Sequence, residues 1–589
     1  MLLFALTAPP GPLPGTAASA EFDDLAAART ARNIVATAPE RTPGSEGDAA
    51  IAQMVEQHFR DIEGGLVSEQ QFDGQFAGHD VGLRNVILTL PGDTDRSVVV
   101  MAPRDSGSGP GAASSAAATG VLLELVDELS VQSHTKTLVF VSTDGSSAGA
   151  EGAREFATAY PALQSVDAVI DVWQPGSNDP HGPFVLGSST DSTSASAQLV
   201  RTAEHQLSDQ TDLKGSSEGT FAELVGLALP SGLGEQAVLI EHGLTAVGLS
   251  SAGERPLPPS QDEPDDVSSS TIGDFGRTAL LLAVTIDSAT TPVEHGPSTY
   301  IPLAGNLVPG WALAFLALTL LIPAALASAA GIASGVRQHA GVGWAAAWAL
   351  SRALPLLAAL IFFYFLSLVG LVASPTFPFD PSLFGVGAGQ IVVMVLLALI
   401  FAGTYYGIRG WRVPAVLPSA AAVPTLGAVS ALAVFIAWLA NPFLALLLVP
   451  TAHVWMCCAG RRGVLPWPFV LGAGTLSLLP LVAALAHVSG SLGSAAPWLL
   501  LLMVSDGQFG FGTMLAVCLV GGGLLGLLAV SLRGARRPSA RRADVPVRPP
   551  LEISGESAEE REQAGHPADP LDARPITYSP AGDDLWDER

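Results

Sequence analysis

Residues 21–300 alternate between polar and apolar positions with the periods of strands and helices, whereas 307–532 run almost without charge. Within the first stretch, SVVVMAPRDSGSGPGAASSAAATGVLLELVDEL (97–129) reads as a strand, a Gly/Ser-rich loop and a helix. The following TLVFVSTDGSSAGAEGAREF (137–156) reads as a second strand, a turn and a second helix. This pattern predicts an α/β domain over 21–300. In the second stretch, a spanning helix needs about 20 apolar residues. The windows 309–332, 353–374, 389–408, 420–439, 442–459, 465–486 and 509–532 meet that length, predicting about seven spans. Asn441-Pro442, between the fourth and fifth, reads as a tight turn or as a kink in one re-entrant segment.

Basic residues sort these loops into two classes. Arg337 and Arg352 follow the first span, Arg409 and Arg412 the third, Arg461 and Arg462 the fifth, and Arg533, Arg536, Arg537, Arg541 and Arg542 the seventh. The alternate loops, 375–390, 441–442 and 489–497, hold no Lys or Arg. Positive residues mark the cytoplasmic side, so 21–306 is expected outside the cell membrane and the tail inside. Residues 533–589, basic and then rich in Pro, Glu and Asp, are expected to be a disordered cytoplasmic tail. The start, MLLFALTAPPGPLPGTAASAEF, reads as a degenerate signal peptide ending near Ala20, or as a disordered N-terminus, over 1–20.

Composition agrees with a membrane protein: 49% hydrophobic, 14% charged and a mean hydropathy of +0.41. A net charge of −26 argues against a nucleic-acid partner. Lys136 and Lys214 are the only lysines, the usage of a GC-rich bacterial genome. Cys457, Cys458 and Cys518 all fall in the apolar half, which leaves the polar domain without a disulfide framework. Ionisable groups at mid-membrane would indicate transport or proteolysis. Asp506 is expected near an outer helix end, Asp380 in an outer loop and His487 at an interface, leaving His453 as a deep histidine satisfied within the bundle. Tyr405, Tyr406, Trp411, Trp467 and Trp498 suit interfacial belts.

Several short elements of 30–290 occur in an order that resembles metallopeptidase family 28. The stretch from Met101 resembles "AHxDS … GAxDNxSGV", and Phe140 onward resembles "FxxxDGEExGLxGS". Arg41-Thr-Pro-Gly-Ser45 resembles "RxxGS", and Asn85 to Gly92 resembles the "NVIaxxxG" strand. Ala168 to Ser177 is similar to "INLDxxGxxG", Leu229 to Gly234 to "IPSDTDF", Glu241 to Leu249 to "xxGIPGLxxA", and Pro258 to Val267 to "YHTxxDTxDxV". The resemblance implies a zinc-aminopeptidase-like three-layer sandwich with a mixed central sheet, and the family includes members with a multi-span C-terminal region.

Carried over position by position, the resemblance implies that the metal ligands are gone. The first zinc-binding His falls on Pro103, while the orienting Asp survives as Asp105. The bridging Asp falls on Ser115 or Ala116, the Glu pair on Ser146 and Ser147, the next carboxylate on Trp173 and the last His on Pro258. Catalytic zinc requires about three His, Asp, Glu or Cys donors. Loss of a Glu base alone removes about 10²- to 10⁴-fold of rate. No zinc or other cofactor is therefore expected.

Three readings remain. The first is a membrane-anchored, degenerate pseudopeptidase that binds or regulates, with the lipid bilayer and a peptide or protein ligand as partners. The second is an active zinc aminopeptidase with other ligands, drawn from Asp105, Asp171, His181, His242, Asp262 and Asp265. The third places the activity in the membrane region, as a transporter or assembly factor. A serine hydrolase built on Ser106, Ser114, Ser146 or Ser147 is disfavoured, because no G-x-S-x-G elbow occurs and His134, His181, His205 and His242 are scattered.

Overall fold

The computed structural model describes residues 5–15, 21–213, 219–410, 419–460 and 467–535. The readings placed on Ala20, Lys214, Trp411, Arg412, Arg461, Arg462 and the tail beyond 535 lie outside these residues.

Asp23 and Ser45 cap the first two helices by accepting the Ala26 and Asp48 amides, starting α1 (Asp24–Thr37) and α2 (Glu46–Arg60). A hairpin of β1 (Leu66–Phe76) and β2 (His79–Leu90) precedes β3 (Thr94–Pro103) and α3 (Ala117–Ser130). After these come β4 (Lys136–Thr143), α4 (Glu151–Ala159), β5 (Val166–Gln174), the short β6 (Val185–Leu186) and α5 (Ala197–Gln210). The domain is completed by α6 (Thr220–Ala228), α7 (Glu235–Glu241), β7 (Ala246–Ser250) and α8 (Ser269–Ser288).

The strands form one sheet in the order β1-β2-β4-β3-β5-β7-β6. Its centre, β4-β3-β5-β7, is parallel, and β1, β2 and β6 are antiparallel additions at the edges. Burial on both faces explains the unbroken apolar run Val98–Ala102 in β3. Helices α1, α2, α3, α5 and α8 cover one face around Ile51, Leu122 and Phe275, and α4 and α7 cover the other around Phe156 and Leu239. The domain is thus the mixed-sheet, three-layer sandwich expected. Residues 5–15 pack against it: Thr7 pairs with Leu307, and the Leu13 amide donates to Thr202 Oγ1 at 3.0 Å.

A hairpin of β8 (Tyr300–Leu303) and β9 (Asn306–Pro309) leads into the apolar helices. These are α9 (Gly310–Arg337), α10 (Val342–Ser351), α11 (Leu354–Leu368), α12 (Ala388–Gly410), α13 (Ser419–Ala440) and α14 (Pro442–Gly460). The series ends with α15 (Trp467–Leu476), α16 (Leu479–Leu492), α17 (Ala496–Asp506) and α18 (Phe511–Ala535). Hydropathy windows alone suggest about seven spans. Among the described residues, four stretches are long and apolar enough to cross a membrane, Gly310–Arg337, Val342–Leu368, Ala388–Ile408 and Phe511–Ala529. Counting α16 and α17 as one broken span, bent by 96°, gives five.

Local features separate the two counts. Arg352, expected in a loop, lies within the Val342–Leu368 stretch, where its guanidinium sits 5.0 Å from the Trp348 ring centre. Pro424–Ala440 and Pro442–Trp455 are short apolar helices, separated at Asn441 by a turn rather than a kink. The Asn441 side-chain oxygen caps α14 by accepting the Phe443 and Leu444 amides at 2.9 and 3.1 Å. Trp498 is buried in the bundle rather than set in an interfacial belt. His453 donates within its own helix, with Nδ1 3.1 Å from the Val449 carbonyl.

Candidate site at the carboxyl edge of the sheet

Strand β3 delivers three consecutive residues to the carboxyl edge of the sheet, and the two-residue period of a strand sends them to different sides. Asp105 faces the turn after β4. Its carboxylate accepts the Ser146 amide at 2.8 Å, the Ser147 amide at 3.0 Å and the Ser147 hydroxyl at 2.7 Å. Burial raises its pKa, and these three donors oppose the rise. Arg104 points the other way, fully buried, and pairs with Asp48 and Asp144 at 2.9 Å each.

The Arg41 side chain threads beneath the loop from Asp105 to Ser115. It donates to the carbonyls of Arg104 (3.0 Å), Ala38 (3.0 Å) and Gly111 (3.4 Å) and to Ser115 Oγ (3.0 Å). That binding explains why Arg41 belongs to the opening element of the domain: it holds the loop rather than the chemistry. Asp262 closes the far side, accepting the Ala113 amide (2.7 Å), the Ser114 amide (2.9 Å) and the Ser114 hydroxyl (2.5 Å).

Below this layer lies a second pair of acids. Glu235, fully buried at the start of α7, accepts the Thr143 hydroxyl at 2.8 Å, and Asp171 accepts the Gln236 amide at 3.1 Å. Burial drives both pKa values upward, Asp171 to about 7 and Glu235 well above the carboxylate range, with the Asp171 charge adding to the rise of Glu235. Burial likewise lifts Asp144 to about 8, with Arg104 pulling it down and Asp48 and Asp105 pushing it up. Such neutral acids are a cheaper way to keep carboxyls in an apolar interior than unpaired charges.

A cavity of about 70 Å3 lies above Asp105. Of the positions singled out from the sequence, Pro103, Asp105, Ser115, Ser146, Ser147, Trp173 and Asp262 line it, whereas Ala116 and Pro258 do not. Asp171 lies beneath it, and Asp265 sits in a separate short turn at 264–266. His181 and His242 are elsewhere: His181 pairs with Ala252, and His242 Nδ1 lies 2.9 Å from the Val238 carbonyl. Among the described residues no three His, Cys, Asp or Glu side chains are grouped to hold a metal ion. The donor set has no imidazole, and Asp105 and Asp262 each already accept three hydrogen bonds from amides and hydroxyls. These residues do not fit a two-zinc centre.

The roof of the cavity comes from the helical half. The loop between α11 and α12 contributes Phe379 and Asp380 to the lining. Phe379 pairs with Ala148 in an antiparallel bridge, and Arg154 donates to the Phe377 carbonyl at 3.2 Å. The Ser382 and Ser108 hydroxyls meet at 2.6 Å. Fit at this contact is close enough that a Cβ on Gly107 would strike the Asp380 carboxylate, and one on Gly149 would come within 3.0 Å of Thr376. The Phe377 amide donates to Asp506 at the end of α17 (2.9 Å), fixing the loop to the bundle. Beside the roof, a second cavity of about 530 Å3 runs between the β1–β2 tip at Phe76–Gly78 and residues 370–384, sharing Ser147 and Phe379 with the first.

Two further contacts lock bundle to domain. Asn441 Nδ2 donates to Ser192 Oγ at 3.0 Å and to the Leu227 carbonyl at 2.8 Å, and Gln508 donates to the Pro230 carbonyl at 3.2 Å. Sequence reasoning placed Asp380, Asn441 and Asp506 near the outer ends of helices but gave none of them a role at the site. It missed Asp48, Arg104 and Glu235 altogether. Arg104 and Glu235 adjoin elements singled out from the sequence, and that adjacency was the available signal.

Residues 85–282 match the family model "Peptidase family M28", so the chain carries a domain of that kind. Among curated proteins, Transferrin receptor protein 2 of Mus musculus is 34% identical over 156 residues, 25% of this chain and 18% of that protein. The Rattus norvegicus counterpart is 33% identical over the same extent. The match thus spans about a fifth of these relatives' length. Among solved structures, a glutaminyl cyclase of an Acidobacteriales bacterium aligns over 46% of this chain and 98% of its own, with 18% identity and a TM-score of 0.38. A Zn-dependent exopeptidase from Parabacteroides distasonis aligns over 45% and 98%, with 14% identity and a TM-score of 0.33.

Proposed function

We propose that this chain is a membrane-anchored, catalytically degenerate relative of M28 peptidases, whose cleft serves binding or regulation rather than hydrolysis. The observation that carries the reading is the engagement of Asp105. Three of its roughly four acceptor positions are taken by the amides and hydroxyl of Ser146 and Ser147, the residues that stand where the resemblance puts the Glu pair. A carboxylate so engaged has little left to orient an imidazole, and the residue two positions before it is Pro103.

Support also comes from the roof. A peptide approaching the sheet edge from above meets Phe379 and Asp380, held by main-chain pairing to Ala148, so the cleft is roofed by a segment of the same chain. The curated relatives that match part of the domain are named as receptors, which agrees with a binding role. The four or five long apolar helices are read as the anchor, with 21–306 on the outer face of a cell membrane and the tail inside.

The test is a zinc and activity measurement on the full chain, because the site is shared between its two halves. After equilibration with zinc and desalting in detergent, the protein is expected to retain far less than one zinc per chain and to release no nitroaniline from aminoacyl-nitroanilides. Stoichiometric zinc together with chelator-sensitive hydrolysis would establish an active peptidase instead.

A further inference from the structure

Between α11, α12, α14, α16, α17 and α18 lies a cavity of about 380 Å3, distinct from the site above. Among the described residues its wall is made of Leu, Ala, Val, Phe and Pro, with Thr513, Met514 and Cys518 as the only lining side chains that carry a heteroatom. The chamber is a cleft open at the bundle surface, and its wall offers water few polar partners against the two to four an ordered water needs. Lining residues run from Leu356 to Phe363 in α11, which corresponds to about 10 Å of helix axis. The chamber is therefore elongated along the helices.

We infer that this cavity is a binding site for one acyl chain of a membrane lipid. The inference rests on the reading that these helices cross a bilayer, where hydrocarbon chains are the surrounding solvent. Val517, 43% exposed, stands at the wall and gives access from the bundle surface. Orientation follows from the ends. Phe509 precedes α18 beside Gln508, which bonds to the outer domain, and Leu229 of that domain reaches the lining, so this end lies under the α/β domain. Leu356 and Cys518 mark the deep end. An acyl chain enters with its glycerol end beneath the domain and its tail toward Leu356. Charged head groups stay outside, since no lining residue is ionised. Leu229 also links this chamber to the other one, because Leu233, four residues on, lines the cavity above Asp105.

The experiment uses the full chain in phosphatidylcholine vesicles carrying a diazirine in one acyl chain, with photolabelled residues mapped by mass spectrometry. Labelling is expected at Leu360, Leu501 and Met514 inside the cavity, as well as at Leu399, 61% exposed on α12, which reports ordinary lipid contact. Ala359→Trp fills the chamber and Val517→Trp blocks its side. Either variant, checked for a monodisperse gel-filtration peak, is expected to lower the inner labelling by at least about tenfold with Leu399 unchanged. Labelling at Leu399 without the inner residues, or inner labelling untouched by both variants, would overturn the inference. Absence of label at Leu399 itself would instead overturn the membrane reading on which it stands.

Discussion

Pro103, Arg104 and Asp105 show how one strand end serves two purposes at residue scale. Asp105 and Pro103 line the cavity, while Arg104 is turned back to hold Asp48 and Asp144 under the domain. Two carboxyls share one guanidinium there, so Arg104→Met leaves both buried without their donor. Where Asp144 is ionised, such a loss costs about 3–5 kcal/mol. The loss shrinks below about pH 8, where Asp144 holds a proton. Thermal midpoints of both proteins at pH 5 and pH 8 check this, and an equal penalty at both would contradict it. The unsubstituted chain has a pH dependence of its own. Asp144 and Asp171 are shifted to about 8 and about 7, and Glu235 also upward, all above the value near 4 of an unfolded carboxyl. Between those limits the folded chain holds more protons than the unfolded one. Stability is therefore greatest below about pH 4–5 as far as these groups decide it, and falls as pH rises toward 8, by at most about 1.4 kcal/mol per unit for each proton. A midpoint that rises from pH 5 to pH 8 would contradict the assignment. Asp171→Asn is expected to flatten the slope.

Among the elements, the loop from Thr376 to Ser382 is the one that sequence periodicity leaves blank. It lies more than two hundred residues from Ala148 and Arg154, and no local pattern announces that Phe379 will pair there. The strands and helices of the α/β domain were legible, because apolar runs such as Val98–Ala102 are buried on both faces and capping residues such as Ser45 mark helix starts. The M28-like elements were legible too, through their order along the chain. Glu235 and Arg104 were not, since their meaning lies in what they face across the fold. Spans are harder to count, because hydropathy sees only composition: α16 and α17 are both apolar, on either side of a 96° bend. The loop makes its own prediction. Antiparallel partners lie about 4.5–5.5 Å apart between Cα atoms, within reach of a disulfide. In Ala148→Cys/Phe379→Cys, mild oxidation is therefore expected to cross-link the two halves. Adding Gly107→Val, whose branched side chain collides with Asp380, is expected to lower the cross-linked fraction severalfold. Equal cross-linking with and without valine would show that the roof is not seated on Gly107.

At the scale of the whole molecule, the α/β domain and the bundle are not a globule on a stalk. Trp173, Leu186, Val225 and Leu233 of the domain belong to the same apolar cluster as Phe443, Leu499 and Met503 of the helices. The floor of the cleft is thus continuous with the packing of the bundle, and the contacts of Asn441, Gln508 and Asp506 supply polar bonds around it. This arrangement fixes which helix ends lie beside the domain, and so constrains the membrane topology. The α11–α12 loop touches Ser108, so a bilayer cannot pass between them. The α9 helix leaves the domain at Gly310 and runs 28 residues, about 42 Å, before His339, enough to cross a hydrocarbon core of about 30 Å. Cysteines placed at Ser382 and His339 should therefore lie on opposite sides of the membrane. With an impermeant maleimide on intact cells, Ser382→Cys is expected to react together with a reporter in the domain such as Asp95→Cys, and His339→Cys only after the membrane is opened. Reaction at His339 but at neither of the others would invert the orientation while leaving the fold intact. Reaction at Ser382 and His339 alike, with lipid-impermeant reagent and sealed cells, would mean that α9 does not cross.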